Sequence, residues 1–196
     1  MSEIKSAFER AMERVEKLGQ PTEEERGRWK YGPEGQKLAA GYLRGQANLK
    51  AALASADEKA RPYLKEAMAE VLLANLSLPD NEAAKNRSNL AIDGLREIAG
   101  DKRKVDGIMA QLRNIFQHYE TQGAQQRQQA YQQVKENFGR MVRQAAQRQY
   151  GNAPVPDVDV EGHPQFQQEW HRVLGQINSQ YEKVLEEYKE QLAAAV

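Results

Sequence analysis

Three histidines, His118, His163 and His171, are the first residues to test for chemistry. Asp159 and Glu161 stand just ahead of His163, so a metal site of Asp159, Glu161, His163 and His171 can be assembled on paper. The spacing matches neither a zincin helix nor an EF-hand loop. A turn capped by His163 and a solvent-facing His171 beside Trp170 account for the same residues without a metal. A di-iron centre in a helical bundle needs a Glu on each of two helices and Glu-x-x-His on two more. The positions three ahead of the histidines are Ile115, Val160 and Gln168, so that requirement is not met. No nucleophile elbow, phosphate-binding loop or dinucleotide fingerprint occurs. The chain has no cysteine, which excludes disulfides, thiolate catalysis and cysteine-ligated zinc. The expectation is a protein that is not an enzyme and carries neither cofactor nor metal.

Two clusters suit binding rather than reaction. Arg28-Trp29-Lys30-Tyr31 alternates cations with aromatics, as in a stacking platform for a base or an anchor for a protein partner. The competing view is that Trp29 and Tyr31 fill the gap between helices while the cations snorkel outward. The lack of a wider basic surround favours that view. The second cluster is Arg127, Lys135, Arg140, Arg143 and Arg148, spread along a glutamine-rich stretch whose acid is Glu136. Such a face can touch phosphate and base edges. Over the whole chain Lys and Arg number 28 and Asp and Glu number 28, so no net charge draws it to nucleic acid or an anionic membrane.

The elements that must position these residues are helices. The chain has 196 residues, 40% of them hydrophobic, and a mean hydropathy of −0.84. These values suit amphipathic helices with much solvated surface. No stretch is long and apolar enough to span a membrane. The N-terminus lacks the apolar core of a signal peptide, and a cytoplasmic protein is expected. Ser2 to Leu18 predicts a first helix with Ile4, Phe8, Met12 and Val15 on one stripe. Thr22 and Glu25 form a capping box that starts a short helical turn. Gly27, Gly32, Pro33 and Gly35 are expected to stop it, with a second helix from Glu34 to about Ala54. Ser55 and Glu58 form a further capping box. Pro62 belongs to the first turn of the next helix, which runs to about Leu76. Pro79-Asp80 ends that one and caps another, which stops at Gly100.

Asp101 then caps the longest element, a helix expected to run to Tyr150. Val105, Met109, Leu112, Phe116 and Tyr119 advance in alternating steps of four and three, the seam of a coiled coil. The seam empties through the glutamines, where Gly123 is the expected place for a bend. It resumes at Ala130, Val134, Phe138, Met141 and Ala145. Ala153 to Pro164 predicts an extended loop. Gln165 to Ala195 predicts the last helix, with a wide stripe that includes Phe166, Trp170, Ile177, Tyr181, Leu185 and Leu192.

Charge separates the last two segments. Residues 101–150 hold nine Lys or Arg against four Asp or Glu, a net of +5, whereas residues 151–196 hold three against eight, a net of −5. The simplest arrangement is an antiparallel hairpin in which flanking charges select register. The chain is therefore expected to be all-α: a small antiparallel bundle over residues 1–120 and a coiled-coil-like hairpin over 121–196. The function expected of it is structural or adaptor, through self-association as a homodimer or through a protein partner. The alternative is a nucleic-acid- or ribosome-associated factor, with no role at a membrane in either case. The candidate partner-binding residues are Trp29, Tyr31, Arg127, Arg140, Arg143, Arg148, Phe166 and Trp170.

Overall fold

A computed structural model describes residues 21–150 and 159–196, and among these the protein is all-α. The predicted opening helix and the proline-rich start of the loop before His163 lie outside the described residues. Contacts divide the chain into two compact units, one ending at Leu72 and one beginning at Leu73. The division falls in the last turn of a helix, whereas the spacing of the sequence places it near residue 120.

In the first unit, helix α1 spans Glu23–Leu43. Its start is the predicted capping box. The Thr22 hydroxyl accepts from the Glu25 N–H at 3.2 Å, and the Thr22 N–H donates to the Glu25 carboxylate at 2.8 Å. The expected stop at Gly27 to Gly35 does not occur, and α1 runs through it with Pro33 inside. The reason is close packing. A side chain at Gly35 would sit 2.7 Å from the Leu64 carbonyl oxygen and 2.9 Å from the Ala67 Cβ. One at Gly27 would fall on the Tyr63 ring. The glycines lower helix propensity but let α1 approach α3, which spans Arg61–Ala74. α1 ends in a Schellman motif. Gly45 takes φ +72°, its N–H donates to the Tyr42 carbonyl, and the Gln46 N–H donates to Gly41. The expected second helix is thereby cut short, and Leu49–Ser55 forms a separate α2 capped by Asn48. Ser55 closes α2 instead of opening the next helix, and Pro62 lies in the first turn of α3 as predicted.

In the second unit, α4 (Glu82–Ile98) starts at Asn81, one residue past the expected Asp80. α5 (Lys102–Glu120) starts at Asp101 as predicted, with Asp101 accepting from the Arg103 and Lys104 N–H groups. The pairs Lys85–Glu120 at 2.7 Å and Arg96–Asp106 at 2.6 Å show that α4 and α5 run antiparallel. Val105, Met109, Leu112, Phe116 and Tyr119 are all buried, so these positions form the inward stripe of α5. α6 (Gln122–Tyr150) follows after a single break at Thr121, two residues ahead of the glycine expected to cause it. α7 spans Pro164–Ala193.

α7 lies antiparallel along α6 and then along α5. Phe138 meets Phe166 with ring centroids 6.0 Å apart, Tyr131 meets Trp170 at 5.1 Å, and Tyr119 meets Tyr181 at 5.1 Å. The hairpin is thus held by an aromatic ladder. Edge-to-face pairs of this kind add ~0.5–1.5 kcal/mol each beyond their burial. Charge is expected to fix its register, yet the ion pair at this hairpin among the described residues, Lys135–Glu161, joins α6 to the turn ahead of α7 and not to α7 itself. α5 belongs with this hairpin because α4 and α7 both pack on it, which is why the division of the chain falls earlier than its heptads suggest.

Candidate partner-binding surfaces

Two of the three histidines are engaged within the fold. The His163 Nδ1 accepts from the Gln165 N–H at 3.3 Å and caps α7, and its ring lies 5.0 Å from that of Phe138. His118 shares a hydrogen bond of 2.9 Å with the Tyr181 hydroxyl, and His171 is exposed. Among the described residues no group of three or more His, Asp or Glu comes close enough to hold a metal ion.

Of the first cluster, Trp29 is 68% exposed on α1 and does not fill a gap between helices. Tyr31 does, in part: its ring stacks on Tyr63 at 6.1 Å, with the Lys30 ammonium 4.9 Å from its centroid. Arg28 is drawn aside by Glu24 at 3.1 Å and Glu66 at 2.9 Å. Trp29 borders a small hollow of about 140 Å³ with Gly32, Gln36, Tyr63 and Glu70. The result is an aromatic ridge with mixed charge around it, anchored at Tyr63 and exposed at Trp29.

The second cluster divides. The Arg127 guanidinium lies 4.0 Å over the Tyr119 ring and donates to the Tyr119 carbonyl at 3.2 Å. One of its nitrogens, Nη1, is buried without a hydrogen-bond partner among the described residues. Gly123 is buried because a side chain there would meet both the Tyr181 hydroxyl, at 2.9 Å, and Arg127 Nη1, at 3.1 Å. Arg127 therefore works inside the fold, as a cation–π contact at the α5–α6 junction. Phe166 is fully buried and Trp170 half-buried in the aromatic ladder, so these two also serve the hairpin. Arg140, Arg143 and Arg148 are exposed on α6. Among them stands Met141, 51% exposed although the heptad pattern places it inward. α7 begins opposite Phe138, and the inward stripe of α6 ends there.

A cleft of about 460 Å³ in the second unit escapes any sequence pattern. Its floor is apolar, made by Leu76, Leu78, Tyr119 and Leu185, each at least nine-tenths buried. Its rim carries Asp80, Glu182, Glu186 and Lys189, the last two paired with each other at 2.7 Å. The loop on one side is pinned by Ser88, whose fully buried hydroxyl donates to the Ser77 carbonyl and accepts from the Ser77 N–H, both at 3.0 Å. Burial raises the Tyr119 hydroxyl above its ordinary pKa; Arg127 opposes this, and Asp80 and Glu182 reinforce it. The rim is thus net acidic over an apolar base. Its residues come from three separated stretches of chain. The local hint was the run of acids on α7, which reads as an ordinary solvated face.

The described residues define an all-α protein. Residues 50–194 match the profile of a family described as Family of unknown function (DUF6657). The match covers most of the chain, and the chain belongs to that family. It includes the cleft and the exposed arginines of α6, and begins after Trp29. No curated protein and no solved structure matches. No helix among the described residues is long and apolar enough to cross a membrane.

Proposed function

We propose that the protein is a non-catalytic adaptor that offers helix surfaces to protein partners, another copy of itself included. Trp29 carries this reading. A tryptophan left 68% exposed beside a stacked tyrosine pair is the type of residue that anchors interfaces by filling a partner's pocket. The test uses the full chain and Trp29→Ser, both checked for helicity by circular dichroism and both used as bait in extract of the native host. The wild type is expected to retain a partner that the variant holds about tenfold or more weakly. Equal retention by the two, or retention of nothing, removes Trp29 from the reading.

The nucleic-acid alternative draws on Arg140, Arg143 and Arg148, which are exposed on one helix. It is the weaker reading because Arg127 is turned inward and Lys135 is paired with Glu161. It predicts binding that falls steeply with salt, and no retention of an oligonucleotide at about 50 mM salt ends it.

A further inference from the structure

We infer that the acid-rimmed cleft of the second unit receives the cationic end of α6 from a second copy of this chain. The inference deepens the partner-binding reading by naming one partner and the surface it takes. It rests on two features that sit on different parts of the same unit. One is the cleft, whose Asp80 and Glu182 carboxylates stand over an apolar floor. The other is Met141, half exposed between Arg140 and Arg143. Each lacks what the other offers. The cleft has buried apolar surface and excess negative charge, and the C-terminal third of α6 carries a half-exposed thioether flanked by positive charge. Methionine adapts to irregular apolar hollows better than any other side chain. A cleft of about 460 Å³ falls in the size range that takes up inserted side chains.

The spacing allows the exchange to be mutual. Phe138 sits against Phe166, so Met141 lies just beyond one end of the paired stretch, and Glu182 lies well along α7 toward the other. At 1.5 Å per residue the two are roughly 30 Å apart along the rod. An antiparallel pair of hairpins therefore brings each α6 end toward the other copy's cleft, and the contact closes on itself as a two-fold dimer.

Analytical ultracentrifugation of the full chain from about 1 µM to about 1 mM tests this. A monomer–dimer equilibrium is expected. Asp80→Lys with Glu182→Lys, and separately Arg140→Glu with Arg143→Glu, should each weaken the dimer about tenfold or more, because like charges then face one another. Mixed in equal amounts, the two variants should recover wild-type affinity, since both contacts of the mixed dimer are again complementary. All four residues are exposed, so folding should survive; if circular dichroism shows otherwise, Met141→Ser and a salt titration take their place, each expected to weaken the dimer. A monomer at every concentration, a dimer indifferent to the reversals, a mixture that recovers nothing, or assembly that grows without limit overturns the inference. So does a monomer whose cleft binds only a basic peptide from another protein. Trp29→Ser should leave the dimer intact, which separates this surface from the one on α1.

Discussion

In the first unit α1 comes close to α3 through glycines: Gly35 lies against the Leu64 backbone and Ala67, and Gly27 leaves room for the Tyr63 ring. In the second, α5, α6 and α7 meet through bulk: Phe116, Tyr119, Tyr131, Phe138, Phe166 and Trp170. Both arrangements bury helix surface, but they respond to change in opposite ways. A close approach tolerates no added atom, whereas a contact made by large rings tolerates no lost one. Glycine also plays different parts within the molecule, close-packed at Gly35 and at Gly123 of the second unit but not at every position. Gly35 is an interface, whereas Gly175 on α7 faces open space.

The largest expected effect tests the second unit. Phe166→Ala removes a fully buried ring that touches both Tyr131 and Phe138, and should cost about 3–5 kcal/mol in urea unfolding. A loss near that expected for an exposed site would mean the ladder is not what holds α7 to α6. Next comes a pair of glycine substitutions that should differ in sign. Gly35→Ala forces a methyl against the Leu64 carbonyl and should destabilise by about 1–3 kcal/mol despite alanine's better helix propensity. Gly175→Ala meets nothing within 4 Å and should stabilise by about 0.5–1 kcal/mol. Two changes of the same sign in thermal melts would erase the contrast between the units.

The smallest effect concerns charge. The Arg96 hydrogen bond holds the Asp106 carboxyl below its ordinary value of 3.8. Its folded pKa is the lower one, so between the two values the unfolded chain binds more protons. The contribution is complete above the unfolded value and is lost as pH falls through the folded one. Asp106→Asn should therefore show a shallower loss of stability than wild type between about pH 5 and pH 2, read from urea midpoints. Both side chains are largely exposed, and the difference should be slight. A wild type and variant with parallel profiles would take the pair out of the account.

The all-α class, the caps at Thr22 and Asp101, the first-turn Pro62 and the inward stripe from Val105 to Tyr119 were legible because each depends on residues near in sequence. α1 was not. Four helix-disfavouring residues within nine positions read as a break until the partner surface at Tyr63, Leu64 and Ala67 is known. The bend assigned to Gly123 went astray for a related reason: that glycine makes room for Tyr181 and Arg127. Charge separation between the last two segments pointed to the hairpin, yet rings do most of the pairing. The exposure of Trp29, the burial of Phe166 and the cleft at Tyr119 depend on contacts distant along the chain, and no local spacing reports them.

The chain has two tryptophans, and they fall one to each unit. Trp29 stands in water, and Trp170 is half-buried with its ring 5.1 Å from Tyr131. Their emission should differ in wavelength and in access to a soluble quencher. Replacing either with phenylalanine leaves a single tryptophan, so with excitation that spares the tyrosines each unit can be followed by its own light without attaching a dye.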